Sequence, residues 1–401
     1  MKFERLGNIC TVRNGYAFKS EQFVEDGVPI IRISDIKGNF VKSEKAVRIK
    51  YNSSFENFKI TNGDLLIAMS GATTGKYGIY NSDEIGFQNQ RVGCFVIKDK
   101  EKLSNDYLLQ ALRFLKPVIE RKAHGSGQPN ISGKDIEELE IPLPSLSDQI
   151  QIANILSKAE TLIEQRKESI ALLDEFLKST FLEMFGDPIK NDKGWEEKTI
   201  ESFVKKEKYS LKRGPFGGAL KKEIFVPSGY LVYEQYHALN NDFTFARYFI
   251  DETKFQELKA FEVSAGDIII SCSGVYLGKL AIIPQGAKRG IINQALLKIS
   301  LDEKIINNQF FIFLFSHPSF KTKFYGNIVG TGIPNFPSMA DFKKFNFIYP
   351  PIELQTQFAT IVNKTETLKA QYQQSLQQLE NLYGSLSQKA FKGELEMATT
   401  A

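Results

Sequence analysis

The sequence predicts a mixed α/β (α+β) fold in which two repeated globular domains are separated by two long antiparallel helices. Three observations lead to this prediction. A long block of sequence occurs twice, each copy combines short β-rich runs with an amphipathic helix, and each copy is followed by an extended apolar ladder. Because the repeat is much longer than a solenoid unit, it predicts two duplicated domains related by an approximate two-fold axis.

The repeat is defined by short motifs that recur in the same order. The segment Gly63–Gly71 matches Gly266–Gly274, an offset of 203 residues (266 − 63). Three further pairs of motifs keep a similar offset, namely Gly75-Lys76 with Gly278-Lys279, Asn89-Gln90 with Asn293-Gln294, and Gly125–Asn130 with Gly330–Asn335. Two similar domains in one chain suggest a function that needs two similar binding surfaces.

We expect the first domain to span residues 1–145 and the second to span 188–350. Runs rich in β-branched and aromatic residues, with Gly or Asn at their ends, predict the strands. In the first domain these are Pro29–Ile33, Asp64–Met69 and Cys94–Ile97, and in the second Tyr230–Tyr233, Asp267–Cys272 and Leu296–Ile299. Leucines at helical spacing predict a helix from Tyr107 to about Arg121, and a matching helix that begins near Asn308.

Two long helical segments, 146–187 and 351–401, follow the domains. Apolar residues three and four apart predict a coiled-coil-like seam, formed by Ile152, Ile155, Ala159, Leu162, Leu173 and Leu177 in the first segment and by Phe358, Ile361, Leu368, Tyr372, Leu379 and Leu386 in the second. A stripe buried inside one domain is the alternative, but segments this long would extend beyond a single domain. Chain direction predicts that the helices run antiparallel, with the domains at opposite ends.

Composition excludes several classes of protein. The net charge is +4, and no apolar run is long enough to span a membrane. The three cysteines are far apart in sequence, so we expect neither disulfides nor a metal site and place the chain in the cytoplasm. Lysine and arginine cluster at 42–50, 113–122 and 205–213, while acidic residues concentrate at 160–183. This distribution suits a polyanionic ligand that touches the domains, although solvated surface explains any single cluster equally well.

No catalytic constellation is found. Gly71-Ala-Thr-Thr-Gly75-Lys76 has one residue too few for a nucleotide-binding phosphate loop and lacks the hydroxyl residue after the lysine. Asp187, Glu196 and Lys198 resemble a nuclease set, but they lie in the connector, occur once and lack a preceding strand. A methyltransferase would need a glycine-rich cofactor loop, and His124, His237 and His317 have no metal-ligand spacing. We therefore predict no enzyme activity, no cofactor and no metal.

The loops instead carry donors that suit phosphates and base edges. The candidate nucleic-acid contacts are Arg13, Lys19, Arg32, Ser70, Thr73, Thr74, Lys76, Tyr77, Arg91, His124, Ser126 and Gln128 in the first copy, and Lys212, Arg213, Tyr236, His237, Ser273, Tyr276, Lys279, Thr331 and Asn335 in the second. A plain turn between strands is the alternative for the glycine loops. Buried amides are the alternative for the Asn-Gln pairs.

Taken together, these motifs resemble the specificity subunit of type I restriction–modification systems. The matching features are the Gly63–Gly71 block, the Asn-Gln pair, the Gly-x-Gly-x-Pro-Asn loop, the Pro142-Leu-Pro144 entry into the first long helix and the Phe185–Pro188 exit. The resemblance implies two target-recognition domains, each reading one half of a bipartite, asymmetric sequence in double-stranded DNA. It also implies that the helices set the spacing and dock two methyltransferase subunits, that a restriction (motor) subunit joins them, and that this chain is not catalytic.

Two other hypotheses remain open at this point. A protein-binding scaffold with duplicated domains would explain the repeat and the helices, although it fits the basic loops less well. A methyltransferase with its own recognition domain is disfavoured by the missing cofactor motif. The second copy also differs from the first, because Phe336-Pro337-Ser338 replaces Ile131-Ser132-Gly133 after the Pro-Asn loop.

Overall fold

The computed structural model describes residues 2–123, 128–325 and 336–395. The chain divides into two compact units. The first contains residues 1–167 and 374–401, and the second contains residues 168–373. Each unit therefore holds one globular domain together with one part of each long helix. The domain boundaries expected from the sequence, 145/146 and 350/351, remain predictions.

The first unit is built from short strands and four helices that begin within it. Its strands are β1 (Phe3–Arg5), β2 (Cys10–Asn14), β3 (Phe23–Val24), β4 (Val28–Ile31), β5 (Phe40–Val41), β6 (Val47–Ile49), β7 (Lys59–Ile60), β8 (Leu65–Ala68), β9 (Tyr77–Tyr80), β10 (Gly86–Gln88), β11 (Val92–Ile97) and β12 (Glu140–Pro142). Its helices are α1 (Leu6–Ile9), α2 (Asn105–Ala123), α3 (Gly133–Glu137) and the start of α4 (Leu146–Phe185). Two five-stranded sheets result, with orders β3-β6-β4-β10-β7 and β2-β11-β8-β9-β5.

The second unit repeats this plan with two four-stranded sheets. Its strands are β13 (Glu196–Thr199), β14 (Leu211–Arg213), β15 (Tyr230–Tyr233), β16 (Phe249–Ile250), β17 (Glu262–Val263), β18 (Ile268–Ser271), β19 (Leu280–Ile282), β20 (Gly290–Ile292), β21 (Leu296–Ile299) and β22 (Asn346–Tyr349). Its helices are α5 (Gln235–Asn240), α6 (Glu252–Glu257), α7 (Asn308–Ser316), α8 (Pro318–Tyr325), α9 (Met339–Phe342) and the start of α10 (Ile352–Phe391). The sheet orders are β14-β21-β18-β19 and β16-β15-β20-β17.

One parallel strand pair is common to both units. In the first unit β4 pairs in parallel with β10, and in the second β15 pairs in parallel with β20. The strands around these pairs are mostly antiparallel. Since the carboxyl ends of parallel strands lie at the same edge of a sheet, each pair delivers two loops to one place.

The domains pack on the long helices through apolar cores. In the first unit, Phe391 of α10 lies 5.4 Å from the Tyr107 ring and 5.2 Å from the Phe114 ring, measured between ring centroids. In the second unit, Phe185 of α4 lies 4.7 Å from Phe310 and 5.5 Å from Phe358. Aromatic clusters of this kind bury large areas, so they fix each domain firmly on its part of the helix pair.

The two long helices run antiparallel within each unit, as the sequence predicts. In the first unit, Tyr383 donates to Glu160 (2.9 Å) and Lys167 forms an ion pair with Glu380 (3.5 Å). In the second, Asp174 pairs with Lys369, and Phe181 lies 5.6 Å from Phe358. Residue numbers rise along α4 as they fall along α10 in both units. The mixed α/β class, the two repeated domains and the antiparallel helices are therefore confirmed.

The predicted seam is wrong at two positions. Ile155 and Leu162 are 41% and 43% exposed, whereas their neighbours Leu156 and Ile163 are buried. On a helix, the residues three and four positions further along both lie close to the face of the starting residue. Because both members of the pairs 155/156 and 162/163 are apolar, the sequence alone does not show which member of each pair is buried. The remaining seam residues are buried (Ile152, Ala159, Leu177 and Phe358) or half-buried (Leu173, Ile361, Leu368, Tyr372, Leu379 and Leu386).

We expect the corrected seam to be visible in stability. Leu156→Ala removes a buried side chain and should lower the free energy of unfolding by about 2–5 kcal/mol. The control Leu162→Ala lies on the same helix but on its exposed side, and should change it by about 0.5 kcal/mol or less. Urea denaturation of both variants provides the measurement, and equal losses would contradict the seam through Leu156.

Candidate nucleic-acid interface

Several strand ends and loops of the first domain converge at one edge. The loop after β2 lies beside the end of β10, where Tyr16 N–H donates to Gln88 O and Gln90 N–H donates to Tyr16 O (both 2.9 Å). The end of β4 joins the same place through Asn89 N–H donating to Ile31 O (3.1 Å). The loop after β8 is tied in by Met69 N–H donating to Arg91 O (2.9 Å). We call this set of loops the first edge.

The second domain has an edge of the same construction. Asn293 N–H donates to Tyr233 O (2.9 Å), which links the end of β20 to the end of β15. Cys272 N–H donates to Ala295 O (2.8 Å), which brings in the loop after β18. These two bonds correspond to Asn89 N–H donating to Ile31 O and Met69 N–H donating to Arg91 O at the first edge. We call this set of loops the second edge.

A glycine makes each edge possible. A methyl group on Gly15 would overlap the carbonyl oxygen of Asn89, and one on Gly214 would overlap the carbonyl oxygen of Asn293. Only glycine lets the loop after β2, or after β14, cross the Asn-Gln turn at this distance. Each Asn-Gln turn therefore depends on the glycine that packs against it.

Both edges carry exposed positive charges. Lys76 and Arg91 are exposed at the first edge, and Lys279 is exposed at the second. Lys321 of α8 lies near Lys279: burial, and then the charge of Lys279, lowers the pKa of the Lys321 ammonium. A bound anion between these two lysines would relieve their repulsion.

Comparison with models of known protein families shows which family the chain belongs to. The family model described as the type I restriction modification DNA specificity domain matches residues 1–172 and 192–381. The chain belongs to this family. Two matched segments of one model correspond to the two copies seen in the sequence and in the structure.

Individual relatives agree with this assignment. The chain is 24% identical to the type I restriction enzyme EcoBI specificity subunit of Escherichia coli, over 97% of this chain and 85% of that protein. It is 23% identical to the MjaVIII specificity subunit of Methanocaldococcus jannaschii, over 80% and 72% of the two chains. The crystal structure of a type I restriction–modification S subunit from M. genitalium has the same fold, with a TM-score of 0.55, 17% identity and coverage of 99% and 96%.

In this family member, the first edge contains most of the contacts predicted for the first domain. Lys19, Lys76, Arg91 and Gln128 are exposed, and Arg32, Ser70 and Thr73 are half-buried. The hydroxyl oxygens of Ser70 and Thr73 have no hydrogen-bond partner among the described residues. Both oxygens are buried, so their hydrogen-bonding capacity is unfilled among these residues.

Three candidates in the first domain have internal roles instead. Arg13 donates to the side chain of Gln88 (3.2 Å) and to the Lys59 carbonyl (2.7 Å). Thr74 is buried, and its hydroxyl donates to the Gly71 carbonyl (2.7 Å). Tyr77 lines a cleft with Glu160 and Tyr383 of the long helices, and burial raises its pKa. Arg13 and Thr74 thus bond groups within the first unit, and Tyr77 lines a cleft of the same unit, so contacts of these three residues with DNA remain predictions.

The second edge contains exposed Tyr276 and Lys279. Ser273 is half-buried and accepts from Gln235 Nε2 through its carbonyl oxygen (2.9 Å). Arg213 and Lys212 are half-buried. Arg213 lies 5.7 Å from the Phe216 ring, and the Lys212 ammonium lies 5.2 Å from the Tyr209 ring. Tyr236 is exposed and lies beside Asp242 (3.3 Å).

His237 was predicted to be a surface contact, but the structure buries it. Its ring is fully buried, and Nδ1 accepts from the Glu234 N–H (2.9 Å) while Nε2 lies 3.1 Å from the Phe245 carbonyl. Asp35 plays the same part in the first copy, where it accepts from the Arg32 N–H (2.9 Å). His237 therefore closes the turn after β15 and has no atom left for DNA.

Four further candidates, His124, Ser126, Thr331 and Asn335, lie outside the described residues. Two exposed aromatic rings are absent from the predicted contacts. Tyr16 follows Gly15, and Phe216, which is 72% exposed, comes two positions after Gly214. The recurrence of a glycine followed by an aromatic residue in both copies is the signal that could have found them. Exposed aromatic rings are typical of binding surfaces.

The described residues offer neither a metal-binding cluster nor an activated thiol. They contain no group of three or more histidine, cysteine, aspartate or glutamate side chains placed to hold a metal ion. Burial raises the pKa of the Cys10, Cys94 and Cys272 thiols to about 12, which makes them poor nucleophiles. None of the described helices is both long and apolar enough to cross a bilayer.

The glycine crossing predicts a sharp difference between two substitutions. Gly214→Ala should lower the thermal stability and deform the second edge, because the new methyl group overlaps the Asn293 carbonyl. Gly384→Ala is the control. It meets open space inside α10 and should raise helix stability by about 1 kcal/mol. Calorimetry of both variants measures the effect, and a Gly214→Ala variant as stable as the parent would contradict the proposed crossing.

Proposed function

We propose that this chain is the sequence-reading subunit of a type I restriction–modification complex, and that each domain reads one half of a bipartite, asymmetric DNA target. The duplicated edge carries the proposal. Its backbone frame is the same in both domains, while the side chains on it differ, as Arg91 against Ala295 and Thr73 against Tyr276 illustrate. A common frame with unlike side chains supports two readers of different sequences.

The charge and polarity of the edges support duplex DNA as the ligand. Exposed Lys76, Arg91 and Lys279 suit phosphate oxygens, which fix the position of a protein on DNA. Exposed Gln128 and Tyr276 suit base edges, where sequence is read. Phosphate contacts supply affinity, and the unlike polar groups supply selection.

Catalysis belongs to partners in this proposal. Two methyltransferase subunits methylate the target, a restriction subunit cuts the DNA, and this chain catalyses neither reaction. The complex works in the cytoplasm, where the DNA is and where the buried thiols stay reduced.

The helix pair is the proposed ruler and docking site. Ile155 and Leu162 of α4 are exposed, and their spacing of seven residues keeps them on one helix face. Such a stripe suits an apolar helix of a methyltransferase subunit. The length of the pair, rather than any base contact, sets the gap between the half-sites.

Removing the edge lysines tests DNA binding. Lys76→Ala combined with Lys279→Ala should weaken binding to a duplex of random sequence. It should also reduce the slope of log affinity against log salt by about 2, since each phosphate contact contributes about 0.9. The control Lys178→Ala removes an exposed lysine that pairs with Glu175 on α4 and should leave the slope unchanged. Filter binding at several salt concentrations gives both values. Parent protein with no salt-dependent DNA binding would favour a protein-binding scaffold.

Shortening both helices tests the ruler. Removing residues 165–171 of α4 together with 374–380 of α10 takes one heptad from each helix and keeps their register. The pair loses roughly 10 Å at 1.5 Å per residue. The gap in the bound sequence should therefore shrink by about three base pairs at 3.4 Å each, with both half-sites unchanged. Selection from a pool of randomised duplexes reads out both quantities, and altered half-sites with an unchanged gap would contradict the ruler.

A further inference from the structure

Opposite charges occupy the same place in the two edges. Arg32 directly follows β4, and Glu234 directly follows β15. The backbone N–H of each donates to a side chain three residues later, Asp35 Oδ2 for Arg32 and His237 Nδ1 for Glu234 (2.9 Å in each case). The carbonyl before each accepts from the Asn-Gln turn, as described above. The two residues are thus structural equivalents with opposite charge.

Both side chains have an atom that remains unpaired. Arg32 Nε and Glu234 Oε2 are buried and have no hydrogen-bond partner among the described residues. Arg32 Nε lies 3.6 Å from Asp35 Oδ2, which is an ion-pair distance only. The other oxygen of Glu234 accepts from Arg247 Nη2 (2.6 Å). An unmatched buried polar atom is unfavourable, so its presence at the same place in two diverged copies points to a ligand that completes it.

The surroundings place these two residues within the edges. Ile33, the residue after Arg32, lies 3.5 Å from the Cβ position of Gly71 in the first glycine loop. Gln235, the residue after Glu234, donates to the carbonyl of Ser273 in the second glycine loop (2.9 Å). The side chain of Arg32 is 38% exposed and that of Glu234 is 14% exposed, so each is partly open to solvent.

The chemistry of the two groups selects different bases. A guanidinium is a donor only and matches the O6 and N7 acceptors of guanine in the major groove. A carboxylate is an acceptor only and matches an exocyclic amino group, such as N4 of cytosine. Because phosphates repel a carboxylate, a contact between Glu234 and DNA would be made to a base rather than to a phosphate.

We propose that Arg32 selects guanine in one half-site, and that Glu234 selects a base with a major-groove amino group in the other. This rests on the proposed function, because it assumes that the edges lie against DNA. It goes further by assigning one base class to one residue in each domain. The charge inversion would then be a direct cause of the asymmetry of the target.

The test is selection from a pool of randomised duplexes by the full chain with its partner methyltransferase subunits. In Glu234→Gln, the preference for the amino-bearing base should fall by about tenfold or more at one position of one half-site. The other half-site should stay as in the parent, and this also reports that the variant is folded. Arg32→Gln should remove a guanine preference from the opposite half-site and leave unchanged the half-site that Glu234→Gln affects.

Arg247→Gln is the matched control, because it breaks the ion pair to Glu234 but keeps the carboxylate. It should leave every base preference in place. A shift at the same position as in Glu234→Gln would show that Glu234 acts only by holding Arg247, and would overturn the proposal. A bipartite parent sequence that survives unchanged in Glu234→Gln and Arg32→Gln would also overturn it. A parent that selects no sequence would instead refute the proposed function itself.

Discussion

The parallel pairing of β4 with β10, repeated as β15 with β20, is the constraint on which each edge depends. It brings the residue after the first strand and the Asn-Gln turn after the second to one place, where a glycine lets a third loop cross them. All of these links use backbone atoms. The side chains at the edge are therefore free to differ, and the same frame carries Arg32 in one domain and Glu234 in the other without a change of fold.

The general plan of the chain could be predicted from periodic signals. The central strands β8 and β18 and the long helices have apolar patterns that identify them, and chain direction alone predicts the antiparallel helices. The parallel pairs could not be predicted in this way. β10 and β20 have only three residues each, and several edge strands have two, so no alternation is long enough to show which strands pair. The predicted seam was wrong at Ile155 and Leu162 for a related reason, because either of two adjacent apolar residues can face the partner helix.

Site residues were harder to predict because residue type does not reveal where a polar group finds its partner. Lysines after a glycine turn were expected to be exposed, and Lys76 and Lys279 are. Arg13 and Thr74 have the same donor chemistry as exposed residues, but they donate to carbonyls distant in sequence, and His237 bonds to backbone groups on both sides of it. Glu234 was missed for the opposite reason. A carboxylate is not expected beside a polyanion, and its equivalence to Arg32 is visible only once the strands are paired.

The central claim is that two domains with one backbone frame read unlike halves of a single DNA site. Genome-wide mapping of methylated bases in a host that carries this chain with its methyltransferase subunits tests the claim most directly. The account predicts two half-sites of different sequence, separated by a gap of constant length without base preference. A continuous target, or two identical half-sites in inverted orientation, would contradict it.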